Sequence, residues 1–447
     1  MKPKFLCEIA DIIQTSIEDH VLIHGVSVDS RLTKPGDLFF ALPGAKVDGH
    51  SFLAQAASNG AVGAVVHSQY RGDNYGLPML RSGDVLASLQ NFAKVCLENF
   101  KGITVAVTGS VGKTTTKDFI STLLDGKYRV SASPGNSNSQ IGLPLTILNR
   151  FSLDEDVLIV EMGMTERGHI SKLINIAPPT VALVTAIALV HACNFATIDE
   201  IASSKAEIFC HPKTKRGIYH KESDIGEILS RTGECFKQSF SMGDAAADFY
   251  LKRVEEKICI KDNRGEGAQE FPTVSLPGKH NLHNLLAAIS VARYLGMEWE
   301  EIRQRQQFLI LPERRMQFVE KFGALFINDA YNASEISVKA ALDSLPQVQP
   351  WSKRIAVLGE MVELGKFSEQ CHHAVGLYAL DCIDSMLCFG TGSVPIYECW
   401  KEAGKPVVWA QERKGIVESL REQLKPGDVV LLKGSCVKEV WKILDEL

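Results

Sequence analysis

Residues 104–124, "TVAVTGSVGKTTTKDFISTLL", join an apolar strand to an amphipathic helix through a glycine turn. This unit limits the fold more than any other stretch, because a run of consecutive apolar residues must be covered on both faces. The usual phosphate-loop spacing is G-x-x-x-x-G-K-S/T. Val107 stands where its first glycine belongs, so a shorter turn remains: Gly109, Ser110, Val111, Gly112, Lys113 and Thr114. The physical parts for phosphate binding are nonetheless present. Gly109 and Gly112 let the chain turn tightly with its N–H groups inward, the helix start adds a partial positive charge, and Lys113 adds a full one. Thr114 or Thr115 can offer a hydroxyl to Mg²⁺. The loop is expected to bind ATP or GTP rather than to be a structural turn beside a stray lysine.

The flanking sequence extends this unit into a sheet. "ITVAV", "DVLIVEMG" and "TVALVTA" are continuous apolar runs separated by helical segments, the pattern of parallel strands in an α/β domain. "RVEEKICIKDNRGEGAQEFPTVSL" alternates like antiparallel strands around a turn, and "NLHNLLAAISVARYLGM" puts Leu282, Leu285, Leu286, Ile289 and Ala292 on one helical face. Ahead of this region lie short β-like runs, "LFFAL" and "GAVGAVV". An amphipathic helix follows them, with Val85, Leu86, Leu89, Phe92, Ala93 and Cys96 at three- and four-residue steps. Beyond Pro312, "GALFINDAYN", "RIAVLGEM", "SMLCFG" and "DVVLLKGS" read as strands of a smaller Rossmann-like α/β domain. The expectation is an α/β protein of three domains, 1–98, 99–311 and 312–447, the central one built on a mostly parallel sheet.

A net charge of -5 argues against a general nucleic-acid binder, though a few placed Lys and Arg suffice for anionic small substrates. No window reaches 18 apolar residues, so no membrane span is expected. "PPTVALVTAIALVHAC" reads instead as a buried strand and its exit loop. Glu8 and Asp11 make the start a poor signal peptide, and eleven cysteines without a Cys-x-x-Cys pair suit reduced thiols in the cytoplasm.

Several polar residues allow two readings. Glu161 ends an apolar strand, as a carboxylate reaching water or as an Mg²⁺ ligand at the carboxyl end of the sheet. His191 ends the run "TVALVTAIALV" with the same ambiguity. Asn281 and Asn284, three apart near a helix start, suit either an adenine edge or a cap. Lys205 reads by default as a solvated helix lysine, and Asp329 and Asn332 as a polar loop after a strand.

Taken in order, "TGSVGKTT", "EMGM", the His191 strand end, "SSKAEIF", "GKHNLHNLLAA", "NDAYNAS", "LGEMVELG" and "LKGS" resemble the Mur ligase family. That family also includes folylpolyglutamate synthetase and cyanophycin synthetase. "VDSRLTKPGDLFFALPGAKVDGHSF" resembles the uridine-nucleotide-binding domain of some members, and no Asp-Asn-Pro-Arg motif occurs. The resemblance implies a cytoplasmic, monomeric, ATP-dependent ligase of peptidoglycan precursor synthesis. It would add D-Ala-D-Ala to UDP-MurNAc-tripeptide through an acyl phosphate. Gly109 to Thr115 would hold the ATP phosphates, with Thr114 and Glu161 on Mg²⁺. His191 and a carbamylated Lys205 would hold a second Mg²⁺, and Lys113, Lys205 and His191 would carry the catalysis. Asn284 would meet adenine, Asp329 the ribose side, and Arg314 or Arg315 the γ-phosphate. Ser30 and Arg31 would belong to the UDP-sugar site, and Asn332 to a substrate site. Cys436 stands where "KGS" is usually followed by Arg, leaving that work to Lys433 or Lys438. The alternatives are another amide ligase of this family, amino-acid-adding or folylpolyglutamate-like, and a phosphate-loop ATPase without ligase activity.

Overall fold

The computed structural model describes residues 2–44, 47–190, 192–221, 223–254, 257–263, 267–272 and 276–447. Beside a two-stranded antiparallel pair, Lys4–Phe5 with Leu22–Ile23, three larger sheets follow one another along the chain. The first has four parallel strands in sequence order, Gly25–Ser27, Asp37–Phe40, Gly63–His67 and Met79–Ser82. The central sheet has nine strands among the described residues. Its parallel part runs from Val130–Ala132 through Val157–Glu161, Ile103–Thr108, Val181–Val184, Arg216–His220 and Phe236–Ser241 to Phe249–Val254. Lys257–Asp262 and Gly267–Pro272 then add as antiparallel strands, as the alternating pattern there implies. The third sheet pairs Gln317–Lys321 antiparallel to Ala324–Asn328, followed by Val429–Lys433, Arg354–Gly359, Ser385–Phe389 and Val407–Ala410 in parallel. Among the described residues no helix is long and apolar enough to cross a membrane.

The apolar runs are buried on both faces because successive side chains point to opposite sides of a strand. Val105, Val107, Val157 and Ile159 pack under the helices Lys113–Leu124 and Lys279–Tyr294. Ala106, Leu158 and Val160 face the other way, into a core continuous with that of the first sheet. There the helix Val85–Glu98 lies against Gly142–Arg150. Asn149 ties the second of these helices to the first sheet: its Oδ1 accepts from Val26 N at 2.9 Å and its Nδ2 donates to Val26 O at 2.8 Å. Five of the six residues expected on the inner face of Val85–Glu98 are buried; Leu86 is the exception and faces a cleft. The helix Lys279–Tyr294 buries its expected face and more, since Asn281, Leu282 and every residue from Asn284 to Ala292 lie inside. It packs beside the phosphate-loop helix on the same face of the central sheet, over Arg216–His220, Phe236–Ser241 and Phe249–Val254.

The strand expected to run up to His191 stops at Val184. Its continuation turns aside to bond the phosphate loop, so those backbone groups leave the sheet ladder. His191 itself lies outside the described residues.

Candidate active site

The strand Ile103–Thr108 ends at Gly109, with φ +150°, and the helix Lys113–Leu124 begins after Gly112, with φ +85°. Both conformations favour glycine. Neither position has room for a side chain. A Cβ on Gly109 would stand 1.9 Å from Thr185 Oγ1, and one on Gly112 would stand 2.3 Å from Asn284 Oδ1.

Ser110 and Val111 do not turn their N–H groups inward as expected; both donate to Ala186 O, at 2.8 and 3.4 Å. Thr185 Oγ1 donates to Val111 O at 2.7 Å, and Ser110 Oγ to Ala188 O at 2.9 Å. The exit of the neighbouring strand thus braces the loop from behind. The N–H groups suited to an anion are those of Lys113, Thr114 and Thr115, which have no carbonyl to bond within the helix. Lys113 folds over the loop, its Nζ donating to Gly109 O at 2.8 Å and Ser110 O at 3.3 Å. Burial lowers its pKa, Glu161 opposes that shift and Arg315 adds to it.

Glu161 is 1% exposed at the end of its strand, so it does not reach water. Thr114 Oγ1 donates to its Oε2 at 2.8 Å, and Asn138 Nδ2 to its Oε1 at 2.7 Å. Lys205, on the helix Ile198–Ala206, is 2% exposed and not a solvated lysine. Its pKa is pushed well down by burial first and the Lys113 charge second, with Glu161 opposing. The charges of Lys113 and Arg315 therefore act on one region with the buried Glu161 carboxylate, where burial and Lys113 disfavour the ammonium form of Lys205. Such a site favours additional anions.

The two asparagines divide their work. Asn281 Nδ2 donates to Pro277 O at 2.7 Å and holds the helix start, while its Oδ1 accepts from Asn284 Nδ2 at 3.2 Å. Asn284 Oδ1 accepts from Thr116 at 3.3 Å beside Gly112. His280, from the same turn, borders the cleft; burial lowers its pKa and Asp329 opposes the shift.

Arg315 rather than Arg314 reaches the loop. Its Nη2 donates to Thr114 Oγ1 at 3.1 Å and its guanidinium lies 4.3 Å from the centre of the Tyr331 ring. Arg314, with φ +58°, sits 4.0 Å over Trp441 instead. The left-handed backbone at Arg314 separates the two side chains, which is why sequence alone left the choice open. Lys433 is 3% exposed, forms an ion pair with Asp329 and donates to Asn332 O at 3.1 Å. Lys438 pairs with Glu360 at 2.8 Å. Of the two replacements for the expected arginine, Lys433 lines the cleft.

These groups border one cleft of about 730 Å³, within the range that holds a small-molecule ligand. Its walls include Leu86, the phosphate loop, Glu161, Lys205, Asn284, Arg315, Asp329 and Asn332. Ser30 and Arg31 are elsewhere. Ser30 is buried with its hydroxyl on Gln55 at 2.6 Å, and Arg31 pairs with Asp29 at 2.6 Å on the surface. Asn138 and Tyr331 were missed in sequence; each sits in a polar segment with no periodicity to single it out.

The oxygen set Thr114 and Glu161 fits Mg²⁺, a hard cation that keeps waters and phosphate oxygens and needs few protein ligands. Among the described residues no three His, Cys, Asp or Glu side chains gather into a metal cage.

Comparison with known proteins gives a consistent match. Residues 22–87 match "Mur ligase family, catalytic domain", 107–292 "Mur ligase middle domain", and 314–436 "Mur ligase, glutamate ligase domain". The UDP-N-acetylmuramoyl-tripeptide--D-alanyl-D-alanine ligase of Bacillus subtilis is 31% identical over 435 residues, 96% of this chain and 94% of that protein. The MurF ligase of Thermotoga maritima, solved in complex with ADP, superposes with a TM-score of 0.80 at 28% identity, covering 94% of this chain and 96% of that one. A MurF structure from Acinetobacter baumannii, 24% identical with a TM-score of 0.86, shares the fold over 100% of this chain and 99% of its own.

Proposed function

Because the chain belongs to the Mur ligase family, we propose that it joins D-Ala-D-Ala to UDP-MurNAc-tripeptide at the expense of ATP. The product is the UDP-MurNAc-pentapeptide of peptidoglycan synthesis. One observation carries this reading: a single cleft brings the phosphate loop, Glu161 and Lys205 face to face with Arg315 and Asp329 of the last sheet's segment. Residues 1–98 would take the UDP-sugar, with Ser30 and Arg31 near it, residues 99–311 ATP, and residues 312–447 the dipeptide. The protein is proposed to act as a monomer.

The reaction must make a leaving group of a carboxylate oxygen. ATP phosphorylates the terminal carboxylate of the tripeptide, the dipeptide amine attacks the acyl phosphate, and the tetrahedral intermediate collapses to amide and phosphate. The first step brings two anions together, so it depends on charge neutralisation. Lys113 and Arg315 stand ready to supply it, one from the loop and one from across the cleft. Thr114 and Glu161 would hold Mg²⁺, and His191 with a carbamylated Lys205 a second. When bound, the metal would neutralise phosphate charge. Asn284 would contact the adenine and Asp329 the ribose. Docking of the last domain, with Arg315 on Thr114, would keep water from the acyl phosphate.

Phosphate release from ATP and UDP-MurNAc-tripeptide, assayed with each candidate amino acid or dipeptide, tests the assignment. D-Ala-D-Ala is expected to give the strongest stimulation. Without any dipeptide, positional oxygen exchange within ATP is expected, and borohydride should trap the acyl phosphate as the reduced terminal alcohol. ADP and phosphate with neither exchange nor alcohol would favour an ATPase without ligase activity.

Gly112→Ala is expected to weaken ADP binding by about tenfold or more, since its φ and the Asn284 contact both oppose a side chain. Calorimetry with ADP measures this, and wild-type affinity would mean that the loop carries no nucleotide.

A further inference from the structure

Lys117 follows Lys113 by one turn on the helix behind the phosphate loop and is 2% exposed. Its ammonium points into the protein. It donates to the carbonyl of Ser133 in a short bond and to Gly135 O at 3.4 Å, and it pairs with Asp118 at 3.0 Å. The two carbonyls belong to the segment "SPGNSN", residues 133–138, between the strand Val130–Ala132 and the helix Gly142–Arg150. Pro134, Gly135 and Asn136 are exposed, so this loop has little apolar packing to hold its shape.

The same loop reaches Glu161 twice. Ser133 Oγ accepts from Glu161 N at 3.1 Å, and Asn138 Nδ2 donates to the carboxylate at 2.7 Å. Asn138 O also accepts from Gly163 N at 2.8 Å, where a Cβ on Gly163 would stand 2.7 Å from Asn138 Oδ1. The carboxylate is thus gripped at both oxygens, by Thr114 from the helix and by Asn138 from the loop. Lys117 joins that helix to that loop.

We propose that Lys117 is a positioning residue: by tying the phosphate-loop helix to the 133–138 loop, it sets where Asn138 holds the Glu161 carboxylate relative to the Thr114 hydroxyl. A charge-assisted bond from a buried ammonium suits this task, because it is directional and strong where packing is sparse. The inference rests on reading Glu161 as the Mg²⁺-side carboxylate.

The test uses the full chain as wild type, Lys117→Met, Asn138→Ala and the double variant. Lys117→Met keeps an apolar stem and removes the donors. ADP affinity is measured by calorimetry with and without Mg²⁺, and amide exchange at residues 135–138 is measured without metal. Wild type should bind ADP more tightly with Mg²⁺. Each single variant should lose about tenfold of that strengthening, with metal-free ADP affinity little changed. The double variant should be no worse than Lys117→Met alone, because both act through one contact. Exchange at 135–138 should quicken in Lys117→Met. If Lys117→Met lowers the melting temperature but keeps the full Mg²⁺ effect, Lys117 is a packing residue and the proposal fails. Should Lys117→Met not fold, Asn138→Ala still decides: an unchanged Mg²⁺ effect there overturns the proposal. A wild-type protein indifferent to Mg²⁺ would instead remove the Glu161 reading itself.

Discussion

Lys205→Ala is expected to lose ligase activity by on the order of 10³-fold or more, and added formate or acetate to restore part of it. The expectation starts from an ammonium with no hydrogen-bond or ion-pair partner among the described residues, 2% exposed, in the field of Lys113. Burial and that field favour the neutral amine, against a reference pKa of about 10.4. A neutral amine adds CO₂ and releases a proton, giving a carbamate with two anionic oxygens on a long stem. That group would reverse the sign of the charge at this position and suit a hard cation. A small carboxylate filling the space vacated in Lys205→Ala would replace those oxygens. Lys205→Arg should not respond, because a permanent cation still occupies the pocket. Activity assays of the variants in CO₂-free buffer, with and without formate, decide the matter. If Lys205→Ala keeps most of its activity there, the carbamate has no part in the reaction.

Lys113→Ala should lower turnover by roughly 10²–10³-fold, comparable to deleting one preorganised donor at a developing charge. In the structure its Nζ rests on Gly109 O and Ser110 O, so the ammonium is already at the mouth of the loop. Affinity for UDP-MurNAc-tripeptide should hardly change, because that ligand is assigned mainly to the first domain. Steady-state kinetics with a separate binding measurement on the tripeptide substrate separates the two effects. Turnover at the wild-type level would remove the loop from the mechanism; a matched loss of tripeptide affinity would move the substrate onto it.

Much of the architecture was legible in the chain because burial leaves a local signature. Runs such as "ITVAV" and "DVLIVEMG" have no polar face, so they had to be strands covered on both sides, and both are. Short strands escaped notice: Gly25–Ser27, Met79–Ser82 and Val407–Ala410 are too brief or too polar for a period to emerge. The glycine turn announced itself for the same local reason, since positive φ at Gly109 and Gly112 is a property of the residue type.

The sequence by itself therefore determined the strand-turn-helix unit, the order of the sheets and the candidate list around the loop. Tertiary structure alone decided which candidates meet. Arg314 and Arg315 are chemically identical neighbours, yet one left-handed residue sends the first to Trp441 and the second to Thr114. Lys205 and Lys117 look like ordinary helix lysines until the chain path buries them at 2% exposure. Asn138 is one amide in a polar loop until Glu161, 23 residues on, comes within 2.7 Å of it. Periodicity reports how each segment meets the core, a local matter of 3.6 or 2 residues. Contacts between side chains of distant segments depend on how those segments pack, and no local period encodes that.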